Sequence, residues 1–160
     1  METYTLDKFL KEHPFFEGLS EADLELLAGC GKNAVIEPDE LVFKQGESAD
    51  EFYVVRVGRV AIELPAPHAG KVTLQTVGDG DVLGWSWIFP PYQWQFDARA
   101  LEQTRVVTMD GKCLRNKCET DTRLGYEMVK RFARVMTDRL KATRLQLLDL
   151  YGNGGPKPKA

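Results

Sequence analysis

Val42-Phe43-Lys44-Gln45-Gly46-Glu47-Ser48-Ala49-Asp50-Glu51-Phe52-Tyr53-Val54-Val55-Arg56-Val57-Gly58-Arg59-Val60 is the stretch that decides the architecture. An apolar run ends in a Lys-Gln-Gly-Glu turn, a second apolar run follows, and a glycine cuts it before a third begins. Gly46 and Gly58 stand where turns call for positive φ, which glycine adopts without a steric penalty. Tyr53, Val55 and Val57 alternate along one strand face, the two-residue period of β structure. Outward from this core the same grammar runs from Gly31 to Met109. Strands are expected at 34–36, 41–43, 51–57, 59–64, 72–77 and 104–109, punctuated by Glu37-Pro38-Asp39-Glu40 and Gly78-Asp79-Gly80-Asp81. Pro65-Ala-Pro-His-Ala-Gly70 reads as a surface hairpin loop. Many short strands at this spacing imply a sandwich or a jelly-roll barrel.

Helical periodicity flanks the barrel. Leu6, Phe9 and Leu10 share a face before His13-Pro14 breaks the first helix. Ser20, three residues ahead of Asp23, signals the start of a second. Asp110 is a good N-cap, and beyond it the chain reads as helix to Tyr151. There Met128, Phe132, Val135, Met136, Leu140, Leu147 and Leu150 recur at three- and four-residue steps. The segment from 122 to 151 would be about 45 Å long at the α-helical rise, more than a barrel of this size can cover. One domain is expected over residues 1–151, with a barrel at about 31–109, C-terminal helices at about 111–151, and a flexible tail at 152–160.

The 160 residues suit a single core, and the apolar content of 43% and charged content of 28% are those of an ordinary globular domain. No apolar run is long enough to span a membrane, and the acidic N-terminus leads into no signal-type core; a cytoplasmic location is the expectation. Cys30, Cys113 and Cys118 are odd in number and widely placed, so they read as ordinary thiols. The net charge of −3 conceals a split: residues 1–110 carry 9 basic and 19 acidic side chains, residues 111–160 carry 12 basic and 5 acidic. A basic solvated helix beside an acidic barrel accounts for this, and Arg123, Lys130, Arg131, Arg134, Arg139, Lys141 and Arg144 lack the aromatic interleaving of a nucleic-acid site.

Catalytic and metal chemistry find little footing. His13 and His68 are the only histidines, with no His-x-His or His-Glu-x-x-His spacing. No Gly-x-Ser-x-Gly elbow is present. No enzyme activity, metal or cofactor is expected.

The segment Gly80-Asp81-Val82-Leu83-Gly84-Trp85-Ser86-Trp87-Ile88-Phe89-Pro90-Pro91-Tyr92-Gln93-Trp94-Gln95-Phe96-Asp97-Ala98-Arg99-Ala100 resembles the phosphate-binding cassette of cyclic nucleotide-binding domains, as found in the sensor domains of Crp/Fnr-type regulators. There Gly-Glu-x-Ala-Leu leads through a short helix into Arg-x-Ala-x-x-x-Ala. The stretch 42–60 and the entry phrase Leu10 to Ser20 match the same family, so the resemblance covers roughly residues 7–150. It implies a jelly-roll barrel with short N-terminal helices, a long C-terminal helix and a docking role for Phe15-Phe16. The cassette itself departs from the family: Gly84 falls on the glycine, but Trp85 falls on the glutamate that holds the ribose hydroxyl. Trp94 falls on the arginine that pairs with the cyclic phosphate.

An indole has one N–H donor and no good acceptor, so neither contact can be replaced. Losing the bidentate, charge-assisted arginine contact forfeits about 2–3 kcal/mol in a sheltered site. With the glutamate also gone, affinity should fall by about two to four orders of magnitude. A helix N-terminus at Gly84-Trp85-Ser86 could still offer N–H groups to an anion, with Ser86 and Gln95 adding neutral hydrogen bonds, while Trp87 and Phe96 add bulk. Three readings of the aromatic cluster stand open. It fills the vacated pocket as core, it forms a pocket for a flatter or more apolar ligand, or it is an exposed anchor for a protein partner.

The expected function is therefore a non-catalytic regulatory or interaction module. The alternatives are a small-molecule sensor using Trp85 and Trp94, or the sensor half of a transcription regulator without its DNA-binding domain. A homodimer is expected along the stripe Phe132, Met136, Leu140 and Leu147, against the alternative of a C-terminal helix folded back as a lid.

Overall fold

The computed structural model describes residues 6–68 and 70–153. Two short helices, α1 (Leu6–Glu12) and α2 (Glu21–Ala28), flank a 3₁₀ turn at Pro14–Phe16. The Ser20 hydroxyl accepts from the Asp23 N–H at 3.1 Å and so caps α2, as its spacing implied. Eight strands follow: β1 Gly31–Ile36, β2 Leu41–Phe43, β3 Glu51–Val57, β4 Val60–Ala66, β5 Gly70–Val77, β6 Val82–Leu83, β7 Asp97–Ala100 and β8 Thr104–Asp110. The two-residue β6 and the four-residue β7 fall below what periodicity can register.

Two four-stranded antiparallel sheets form, in the orders β1-β8-β3-β6 and β2-β7-β4-β5. This is the jelly-roll arrangement, mainly β with helices at its flanks, as the sequence led us to expect. Strand β3 is buried on both sides. Tyr53 and Val55 face the barrel interior with Phe43, Val60, Ile62, Leu83, Trp94 and Val106. Phe52 and Val54 face the helices, packing with Leu10, Phe16, Trp87, Leu114, Leu124, Met128 and Phe132. Val57 departs from the expected alternation and is exposed, because the β3–β8 ladder shifts register between Val55 and Val57. Gly58 follows at φ +133°, and a Cβ there would lie 2.7 Å from the Thr104 Cα; no other residue fits that turn.

Asp110 caps α3 (Gly111–Thr120), its carboxylate accepting from Lys112 N at 2.9 Å and Cys113 N at 3.1 Å. Helix α4 then runs unbroken over Thr122–Asn153. Gly152 and Asn153, placed by sequence in a tail, continue this helix; residues 154–160 lie outside the described residues. A bidentate ion pair ties α4 to α2: Arg123 donates to both carboxylate oxygens of the buried Asp23, at 2.6 and 3.1 Å. That contact holds the Asp23 carboxyl below the usual carboxylate range.

Two expectations require correction. Cys30 and Cys113 are not independent thiols: they form a disulfide, with Cα atoms 6.0 Å apart and 83 residues between them in sequence. The pairing of Gly31 with Met109 and the hydrogen bond from Asp110 N to Cys30 O bring β1 and the start of α3 together. That register could not be read from cysteine spacing. Phe132 was expected on an intermolecular stripe, but it is fully buried in the monomer, 5.0 Å from the Phe52 ring and 5.1 Å from that of Phe15. The first turns of α4 lie on the β1-β8-β3-β6 sheet. Met136 is half-buried against the same core. Along the expected stripe exposure starts at Leu140, and Leu145, Leu147, Leu148, Leu150 and Tyr151 beyond it are exposed as well.

Candidate functional site

Residues 84–96 connect β6 to β7 and carry every residue singled out for ligand contact. They form turns rather than the expected helix, so no helix N-terminus is presented at Gly84-Trp85-Ser86. Pro90 and Pro91 explain this: neither can donate a helical hydrogen bond, and each disfavours helical backbone in the residue before it. The backbone instead closes local turns, from Ile88 N to Trp85 O and from Tyr92 N to Phe89 O.

The aromatic residues of this loop go to different places. Trp94 is 4% exposed and lies flat on Phe43, with ring centroids 3.8 Å apart and planes 10° from parallel. Its backbone is pinned to the β2–β3 turn, Trp94 N donating to Glu47 O and Trp94 O accepting from Gly46 N. Gly84, at φ +95°, is the floor on which the indole rests, since a Cβ there would meet Trp94 Cη2 at 2.7 Å. Trp94 also edges an open cleft beside Val42, Gly46 and Glu47.

Trp87 turns the opposite way, into the helix-facing core. It stacks on Phe52 at 5.3 Å and meets Phe132 edge-on at 5.5 Å. Trp85 is half-buried, edge-on to the half-buried Phe96 at 6.3 Å, with the Arg139 guanidinium 5.7 Å from its ring centroid. Sequence reasoning treated Trp85 and Trp94 as a matched pair, whereas the fold gives them different surroundings. Ser86 is buried, and Gln95 is exposed with its amide on Gln93 O at 3.0 Å.

The charged groups of this loop and strand are already engaged. The buried Asp97 accepts from Gln45 N at 2.8 Å and pairs with Lys71 at 3.5 Å. Arg99 pairs with Glu63 at 3.1 Å and donates to Asp39 O at 2.9 Å. Arg115, which sequence reasoning passed over, clamps the loop from α3. It donates to Trp87 O at 2.6 Å and lies 4.3 Å from the Tyr92 ring centroid. An apolar cleft of about 450 Å³ opens between this loop and the α3–α4 corner, lined by Trp87, Ile88, Tyr92, Cys118, Met128 and Val129. Burial pushes the free Cys118 thiol up. Among the described residues no cluster of three His, Cys, Asp or Glu side chains is placed to hold a metal, and no helix is long and apolar enough to cross a membrane.

Comparison with known proteins follows the same line. A model of the cyclic nucleotide-binding domain matches residues 34–121, more than half of the chain. Over 145 residues the chain is 26% identical to a CRP-like cAMP-activated global transcriptional regulator of Mycobacterium tuberculosis, covering 91% of this chain and 63% of that protein. The chain thus spans about three-fifths of the length of such relatives. Among solved structures, a candidate cyclic nucleotide-binding protein from Geobacter metallireducens GS-15 superposes with a TM-score of 0.77 at 24% identity, covering 86% of this chain and 99% of that one. The sensor domain of the transcriptional regulator DNR from Pseudomonas aeruginosa superposes with a TM-score of 0.68 at 20% identity, over 84% and 91%. At these identities the structural matches speak for the fold, and the family match carries the assignment: this chain belongs to the cyclic nucleotide-binding domain family.

Proposed function

We propose that this domain is a non-catalytic regulatory module that keeps the family's barrel without holding cAMP or cGMP in the usual way. One observation carries the reading. The side chain aligned with the phosphate-binding arginine is an indole, buried to 4% exposure and stacked on Phe43 at 3.8 Å. It occupies space as core and offers no charge. The two charged groups nearest in sequence, Asp97 and Arg99, are held in structural pairs, so neither is available to stand in or to do acid–base work. Calorimetry should find cAMP and cGMP binding weaker than about 10 μM. A tighter, stoichiometric isotherm with either nucleotide would overturn the proposal.

The second reading, a small-molecule sensor, draws on the apolar cleft between Trp87, Tyr92 and Met128 rather than on Trp85 and Trp94. Its volume of about 450 Å³ falls in the range of small-ligand sites.

A homodimer along α4 completes the proposal. Among the described residues the last of α4 hydrogen-bonded to the barrel is Thr143, reached with Arg139 by the Gln75 amide at 2.8 Å. Leu145, Leu147, Leu148, Leu150 and Tyr151 lie beyond it, each more than half exposed. A second α4 about a two-fold axis would cover this surface. Light scattering should return about twice the 18.1 kDa chain mass, and Leu147→Glu with Leu150→Glu should return the monomer without lowering barrel stability. A wild-type monomer at tens of micromolar would refute the pairing.

A further inference from the structure

Cys30 and Cys113 form a disulfide that ties two separate elements together, while Cys118 is free. Cys30 closes the turn between α2 and β1, and Cys113 stands in the first turn of α3. Both line a cleft of about 450 Å³, bordered by the mixed charges of Lys32, Lys112, Asp50, Glu51 and Asp110. Cys30 is 7% exposed and Cys113 is half-buried, so the Cys113 sulfur is the more accessible target for a thiol entering from solvent. A disulfide is permanent where its surroundings are oxidising; beside a pool of thiols an accessible one exchanges.

Other contacts hold the same junction. Asp110 N donates to Cys30 O and Gly111 N to Asp50 O, both at 2.7 Å, and Leu114 is fully buried. Opening the bond therefore leaves the start of α3 in place but removes its covalent tie to the β1 side, which spans 83 residues of sequence. The same turn of helix carries the clamp on the cassette loop. Arg115, two positions beyond Cys113, donates to Trp87 O at 2.6 Å and lies 4.3 Å from the Tyr92 ring centroid.

We infer that the Cys30–Cys113 bond is a reversible modification site for low-molecular-weight thiols, and that its state sets how firmly α3 clamps the 84–96 loop. The exchange runs in two steps. An external thiolate attacks the Cys113 sulfur; the S–S bond breaks, and its electron pair leaves on the Cys30 sulfur, which takes up a proton. A second thiolate attacks the external sulfur of the mixed disulfide, and Cys113 leaves as a thiolate that is protonated in turn. Two thiols thus become one external disulfide, and their two electrons and two protons pass to the cysteines; the external disulfide reverses both steps. With the bond open, only non-covalent contacts hold the first turn of α3, and Arg115 grips Trp87 O and Tyr92 less rigidly. This switch needs neither a cyclic nucleotide nor a paired α4, and the readings above stand or fall without it.

The test incubates the folded full chain with millimolar reduced glutathione, quenches with acid, and counts free thiols by alkylation in denaturant and mass spectrometry. The oxidised protein takes one label, at Cys118, and the fully exchanged protein takes three; oxidised glutathione should restore one. A bond that stays closed in the native protein is a structural staple, and that result would overturn the assignment. Amide hydrogen exchange then reads the consequence. Exchange at Ile88 and Tyr92, whose N–H groups close the turns of the loop, should be about tenfold faster in the dithiol, the equivalent of one lost charge-assisted hydrogen bond. The β3 amides should keep their protection. Cys113→Ser should show the fast loop rate in either redox buffer; if it fails to fold, the glutathione-reduced wild type carries the same measurement. Arg115→Gln should show the fast loop rate with the bond still closed. A loop rate unchanged by reduction or by Arg115→Gln, or protection lost in β3 as well as in the loop, would overturn the proposal.

Discussion

Trp94→Ala is expected to cost about 3–5 kcal/mol, the range for removing a large aromatic from a packed core. The indole lies between Phe43 and the Cα of Gly84. Neither can move in to fill the space: Phe43 also stacks on Tyr53 at 6.1 Å within the barrel, and Gly84 belongs to a backbone turn. For a chain of this length the loss corresponds to a fall in Tm of about 6–20 °C. Trp85→Ala removes a half-buried ring held by Phe96 and Arg139, and should cost about 1–2 kcal/mol by the smaller area it uncovers. Thermal melts of the two variants side by side check the contrast. Equal and small losses would show that Trp94 is not part of the core and would return it to the role of a surface anchor.

The second large effect is expected from Trp85→Glu combined with Trp94→Arg, which rewrites the cassette toward the family pattern. Trp94→Arg places an unpaired guanidinium in an apolar site against Phe43, with Asp97 already committed to Gln45 and Lys71. Its cost should be at least that of Trp94→Ala, about 3–5 kcal/mol or more. Trp85→Glu is milder, because the new carboxylate would meet Arg139. Stability should return in part on adding cAMP, since a ligand at a hundred times its Kd contributes about 2.7 kcal/mol to the folded state. That is a rise in Tm of about 5–10 °C at this chain length. A double variant that folds yet shows no such rise would mean that Trp85 and Trp94 do not stand in register with the family's glutamate and arginine.

Much of the architecture was legible because its signals are local. Gly46 and Gly58 occupy turns at φ +89° and +133°, and a glycine requirement at such positions is visible one residue at a time. Strands β2 and β3 fell where the apolar alternation put them, and Ser20 and Asp110 cap the helices they announce. Each feature depends on neighbours within a few positions. The cassette helix failed for an equally local reason that was underweighted: Pro90 and Pro91 outrank the family pattern in which the helix was expected.

The sequence by itself determined that the barrel would form, and it supplied the expectation that the usual nucleotide contacts are missing, because side-chain identity alone says that an indole carries neither a charge nor a good acceptor. Only the tertiary structure decided what the tryptophans do instead. Trp94 turns toward the barrel interior, Trp87 toward the helices and Trp85 toward Arg139, a choice made by which neighbours leave room. The same holds for Phe132, taken into the core because α4 begins on the β1-β8-β3-β6 sheet, and for Cys30 and Cys113, joined across 83 residues by the β1–β8 register. Long-range packing places such groups, and no window along the chain contains both partners.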